Sequence, residues 1–213
     1  MMKMIHKVQA ETIKMKHTFL IPFHMAMPIL AGSVYWLYYS GKGHSRAEWT
    51  ILFLELIGMA LPFVISLVCA ENISLEAHNH FQVFLGSYRK KWMSFAVKWL
   101  VLSGMGALAI FGVAGLIGAA NHFLQMENRL PANIYLMLVG ILIAGSIPLY
   151  LEHLCLNLVI QKNAALCIGV VETIISALFL TGLGDGRWQF LPCTWSARGI
   201  AIFGEILKNM GLY

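Results

Sequence analysis

Apolar positions along this chain gather in long uninterrupted runs. A helix needs about 20 mostly apolar residues to cross a bilayer. Five stretches qualify, near 18–39, 50–70, 95–120, 133–153 and 164–183. The first carries Pro22 and Pro28, which predict a kink, and the third is rich in Gly and Ala. The pattern predicts an all-α polytopic bundle of five to six membrane helices. After the fifth run comes GLGDGRWQFLPCTW, residues 182–195, whose Gly, Asp and Pro predict turns. Trp188, Phe190, Leu191 and Trp195 are costly to expose to water. Residues 184–198, with Asp185, Trp188 and Trp195, are therefore expected to dip back into the outer leaflet. The tail SARGIAIFGEILKNMGLY is weakly amphipathic and short for a crossing.

Two polar stretches carry a helical stripe. In residues 1–17, Met4, Ile5, Val8, Thr12 and Met15 fall near one face, with Lys3, Lys7 and Lys14 elsewhere. That pattern fits a short helix lying in the cytoplasmic interface; a basic tail that only sets topology is the other reading. In residues 71–94, Ile73, Ala77, Phe81, Phe84, Leu85 and Tyr88 recur at helical spacing. Glu76, His80 and Gln82 lie largely off that stripe. Gly86 breaks the pattern, and SYRKKW brings Arg89, Lys90, Lys91 and Trp92 to headgroup level. An amphipathic helix between two spans either lies on lipid or docks into a groove of a cytoplasmic partner.

Composition supports the membrane reading. Of 213 residues, 59% are hydrophobic and 12% charged, with mean hydropathy +0.72; a soluble domain carries about 25% charged residues. The net charge of +5 does not point to nucleic acid, because the basic residues are scattered between the runs. If the spans alternate, Lys3, Lys7, Lys14, Lys16, Arg89, Lys90, Lys91, Lys98 and Lys162 share one side, against Lys42, Arg46, Arg129 and Arg187. The side richer in Lys and Arg is cytoplasmic, so the N-terminus is expected inside and GDGRW outside. The first 17 residues are polar and the run behind them is too long for a cleavable signal. Cys69, Cys155, Cys167 and Cys193 show no CxxC spacing and read as small packing residues.

Catalytic motifs do not appear. The sequence holds no GxxxxGK[ST], no GxSxG and no HExxH. GLGDG lacks the Lys-Ser/Thr of a phosphate loop and reads as a turn. His78 and His80 are two apart, share no helix face, and read as surface residues. Glu55 and Glu172 fall inside apolar runs, where a charge costs roughly 2.5–3.5 kcal/mol on insertion scales. Glu172 lies about eight residues into its run, about 12 Å at 1.5 Å per residue. It serves either a substrate path or proton site, or a hydrogen bond that holds helices together; Glu55 lies nearer the outer surface. Ser103/Ala107, Ala114/Gly118, Gly115/Ala119 and Gly140/Ala144 are small pairs that let helices approach, with packing inside the chain preferred to packing against a second subunit. His24 and His153, toward the same ends of the first and fourth runs, are the residues a haem-binding membrane cytochrome anchor would use.

CAENISLEAHNHFQVFLGSYRKKWMSFAVKWL (69–100) resembles the segment after the second span in permease subunits of lantibiotic (bacteriocin) immunity ABC transporters. GLGDGRWQFLPCTWSAR (182–198) is similar to the outer segment of the same family, with its G-D-G-x-W and P-x-x-W elements. The resemblance covers the order of spans along most of the chain. It implies a single ABC-2 type transmembrane domain over 1–213, with six spans and no catalytic residues. By position, Glu71, Glu76, Phe81, Gln82, Phe84 and Leu85 would form the ATPase-coupling region. ATP and Mg²⁺ would sit on a separate ATPase chain, leaving no cofactor here. A second permease chain, identical or different, would complete the pore. The complex would expel a lantibiotic-like peptide from the bacterial cytoplasmic membrane. Only 18 residues follow Trp195, and Glu205 and Lys208 interrupt them, so a full sixth span is not expected with the same force as the other five.

Overall fold

A computed structural model of the chain describes residues 2–16, 18–39, 46–82, 91–123 and 130–211. Among the described residues there are seven α-helices and no strand: α1 (Met2–Met15), α2 (Leu20–Tyr39), α3 (Arg46–His78), α4 (Lys91–Phe123), α5 (Ala132–Val159), α6 (Lys162–Phe179) and α7 (Pro192–Asn209). Short 3₁₀ turns at Gly182–Gly184 and Trp188–Phe190 lie between α6 and α7. Five helices, α2 to α6, are long and apolar enough to cross a membrane. The protein is an all-α helical bundle of the multi-pass membrane type.

Helix length carries the first surprise. α3 and α4 each run 33 residues, about 50 Å at 1.5 Å per residue, against a hydrocarbon core of about 30 Å. The apolar run of α3 ends near residue 70, yet the helix continues through Glu71, Asn72 and Glu76. These polar side chains find partners on other helices, as described below, so nothing forces the chain to unwind. It stops at His78 instead, where His80 and Phe81 take positive φ values of 48° and 55° and the Phe81 N–H donates back to the Glu76 carbonyl at 2.8 Å.

α3 is the axis of the bundle and packs on α5, α6 and α7, while α2 packs mainly on α4 and touches α3 little. Close approaches occur at glycines. A Cβ on Gly58 of α3 would stand 2.8 Å from the Ala197 nitrogen of α7, and one on Gly32 of α2 would stand 2.9 Å from Leu116 Cβ of α4. The small pairs expected to pack inside the chain behave otherwise: Gly115, Gly118 and Gly140 have no neighbour within 4 Å of an added Cβ. Close packing was set by glycines that face a helix, and these three face outward.

The two ends of the bundle are distinguished by their cross-links. At one end lie α1, Glu71 and Lys162, the last two joined at 2.6 Å. At the other, Tyr35 of α2 donates to Asn121 of α4 at 2.7 Å and lies 3.0 Å from Thr50 of α3. Lys208 of α7 stands 3.7 Å from Glu48 at that same far end, and Ala197 abuts Gly58. α7 therefore starts inside the bundle and runs away from the α1 end. The six crossings implied by the family resemblance are not what the chain builds. α6 climbs from Lys162, the turns at 182–190 step back, and α7 completes the same crossing. Gly184 packs against the Phe179 carbonyl and Pro192 occupies the first turn of α7, where a missing N–H costs nothing.

Candidate functional site

The densest polar cluster lies at the α1 end. Lys98 sits in the second turn of α4, an apolar helix that offers its ammonium no water; its side chain is 2% exposed. Three acceptors surround it: Asn72 Oδ1 at 2.8 Å, Glu76 Oε1 at 3.1 Å and Glu11 Oε2 at 3.1 Å. Lys14 donates to the other Glu11 oxygen at 2.9 Å and to Glu76 Oε1 at 3.0 Å. Two ammonium groups and two carboxylates balance, and each Lys is bonded to both Glu residues. Asn72 also donates to Met15 Sδ at 3.3 Å. Burial of Lys14 alone would lower its pKa, but the hydrogen bonds and charges of Glu11 and Glu76 outweigh that and raise it above the ordinary value.

This cluster redefines α1. The face expected to lie on lipid is turned inward at Val8, which packs against the core, and at Met15, which is 1% exposed. Lys7 donates to Met93 of α4 at 3.0 Å. Glu11, buried at 7% exposure, is the side chain that carries α1 onto α3 and α4.

The predicted coupling residues divide into three groups. Glu76 is in the cluster. Glu71 is on the neighbouring face of α3, half-buried and paired with Lys162, which ties α3 to α6. Phe81 packs partly against the core and Gln82 is exposed; both belong to the turn that ends α3 rather than to a separate helix. Phe84 and Leu85 lie outside the described residues. His78 and His80 are exposed, as their spacing implied. Left-handed backbone at two consecutive side-chain-bearing residues, one of them Phe, stores strain, and it does so directly beside the buried cluster.

Other candidates fall elsewhere. Glu172 of α6 meets His153 of α5 at 2.8 Å, with His153 fully buried. His24 donates from Nδ1 to the Leu20 carbonyl at 2.7 Å and lines an apolar cavity of about 260 Å³ between α2 and α3, with Val34, Leu61, Ile65, Ile110 and Tyr150. The two histidines proposed as haem ligands are thus engaged at different places. Among the described residues no group of three His, Cys, Asp or Glu side chains is arranged to hold a metal ion. Glu55 has Arg198 and Glu205 as charged neighbours. Arg198 pairs with Asp185 and donates to the Leu180 carbonyl, which pins the turn segment to α7. Trp188 accepts through its carbonyl from Thr194, and Trp195 donates to the Gln189 carbonyl at 3.0 Å. All four cysteines are free; Cys69 and Cys193 are buried, while Cys155 and Cys167 are exposed.

Compared with known protein families, curated proteins and solved structures, the chain has no match.

Proposed function

We propose that this chain is the membrane-spanning permease subunit of an ABC transporter of the lantibiotic-immunity kind, which expels an antimicrobial peptide from the bacterial cytoplasmic membrane. ATP hydrolysis takes place on a separate chain, and the α1 end of the bundle faces the cytoplasm. The observation that carries the reading is the Lys98–Glu11–Glu76–Lys14 cluster. It joins α1, α3 and α4 into one unit at the place where the chain turns into residues 83–90. A force applied to that segment would move both of the longest helices together rather than bend a loop. A permease driven by a separate ATPase needs such a mechanical connection, and a helix that merely rests on lipid does not.

The remaining parts of the reading follow from it. Glu71, Glu76, Phe81, Gln82, Phe84 and Leu85 form the coupling region. Gly115, Gly118 and Gly140, open on the outside of the bundle, are where a second permease chain can approach closely. Purification of the tagged chain from its native membrane tests the proposal: an ATPase is expected to accompany it in stoichiometric amount, and its absence would remove the basis for the assignment.

A further inference from the structure

α6 and α7 form one broken crossing, and the break holds a buried polar group that the proposed coupling region does not use. Fifteen residues separate Cys193 from Lys208 (208 − 193), about 22 Å at 1.5 Å per residue. Since Lys208 stands by Glu48 at the far end of the bundle, the start of α7 lies well inside a hydrocarbon layer of about 30 Å. Cys193 and Thr194 are buried there, at 4% and 0% exposure. No side chain caps this helix N-terminus.

Three ionisable side chains converge at this depth. His153 Nε2 is 2.8 Å from Glu172 Oε2. The carboxyl of Glu152, next along α5, lies within hydrogen-bonding reach of the Glu172 carboxyl. The Cys193 thiol of α7 faces both carboxyls. Two further buried polar atoms have no partner: His153 Nδ1, and Ser176 Oγ one turn beyond Glu172 on α6. α3 meets this stretch of α6 through Phe63 and Ser66, neither of them ionisable. The charged groups facing Glu152 are Glu172 and His153. Arg198 is occupied by Asp185 and the Leu180 carbonyl.

Two carboxylates in contact in a low-dielectric setting cannot both stay ionised, and they share a proton instead. A structural ion pair needs one acid and one base; here a second acid stands on the first, and the histidine has a second nitrogen left over. With one proton shared by the carboxyls and a neutral imidazole, the trio carries −1. A second proton, on the imidazole, brings it to zero. The partial positive charge at the start of α7 favours the −1 state, as half-helix ends do at ion sites in broken membrane helices.

We propose that Glu152, His153 and Glu172 form a proton-binding site inside the membrane, whose occupancy is linked to the position of the α7 N-terminus. The proton taken up comes from water and returns to water, and no other reactant enters. Displacing the start of α7 removes the partial charge that favours the −1 state, so seam opening and proton uptake drive each other by linkage. The site stands on its own geometry, whatever peptide the chain carries.

The test uses the intact protein in lipid vesicles and a hydrophobic carbodiimide, which modifies protonated carboxyls in apolar surroundings. Peptide mass spectrometry is expected to find the label on Glu152 or Glu172 near neutral pH. Labelling should fall several-fold as pH rises over roughly three units, and vanish at the replaced position in Glu152→Gln and Glu172→Gln. His153→Gln should shift the pH at which labelling falls. Absence of label on both carboxyls across that range, or labelling that does not change with pH, would overturn the proposal. The unmodified chain alone decides the matter if a variant fails to fold, and no ATPase is needed, so the outcome is independent of the permease assignment.

Discussion

Glu76 of α3 and Lys98 of α4 meet at 3.1 Å with side chains 5% and 2% exposed, which makes their pair the most deeply buried of the salt bridges at the α1 end. Each has a second opposite charge, since Glu11 also reaches Lys98 and Lys14 also reaches Glu76. Removing the central ammonium leaves two buried carboxylates with only Lys14, itself a third exposed. Breaking a buried pair by deleting one partner costs about 3–5 kcal/mol. Lys98→Met is expected at the low end, about 3 kcal/mol, because Lys14 remains. Adding Glu11→Gln and Glu76→Gln should recover much of that loss. Thermal unfolding in detergent, read together with proteolysis within α1, measures both; equal stability of Lys98→Met and the unaltered chain would refute the central place given to Lys98.

The same cluster gives a pH dependence at the alkaline end. The Lys14 pKa is raised above its ordinary 10.5, and Lys14 touches both glutamates. A raised value means that its contribution is complete below about 10.5 and is lost as pH climbs through the higher folded-state value. Proteolytic release of α1 should therefore increase above that point and stay constant between neutral pH and mild alkali. In Lys14→Gln the rise attributable to this residue should disappear.

Packing at glycines separates inner from outer faces of the bundle. A side chain at Gly58 would press on the Ala197 backbone, whereas one at Gly115 would meet open space. Gly58→Val is expected to cost about 1–3 kcal/mol through overpacking and to loosen α7 from α3. Gly115→Val should leave the isolated chain within about 0.5 kcal/mol of its starting stability. Parallel melting curves decide the comparison.

Sidedness is open to chemical labelling. With Cys155 and Cys167 replaced, a single cysteine at Lys208 should react with an impermeant maleimide on intact cells. One at His78 should react only after lysis. Six full crossings would place both positions on the same face, so joint labelling or joint protection would contradict the broken fifth crossing.

The membrane class was legible because apolar runs of this length have no other use, and the turns between α6 and α7 were legible in Gly182, Gly184, Gly186 and Pro192. The direction of α7 was not, because a short weakly amphipathic tail looks the same whether it crosses or ends a crossing. Glu76 stood out as a polar residue off an apolar stripe. Its partners did not: Glu11 lies 87 positions from Lys98, and no local spacing connects them. Lys98 reads as a topology marker when counted among basic residues. Its place inside an apolar helix was the missed signal, since a cation there needs a partner. Glu172 announced its own cost, but its partner His153 was weighed only as a haem ligand.

The most direct test of the coupling region is recovery of the ATPase by the tagged chain, comparing the unaltered protein with Phe84→Asp at equal membrane levels. Phe84 lies on the apolar stripe of the segment that follows α3, and burying such a side chain contributes roughly 1.5–3 kcal/mol, which is tenfold or more in affinity. The account predicts that the unaltered chain retains the ATPase, that Phe84→Asp loses at least nine-tenths of it, and that Lys90→Gln, a headgroup contact contributing about 1 kcal/mol, loses much less. Full retention by Phe84→Asp, or no ATPase with the unaltered chain, would contradict it.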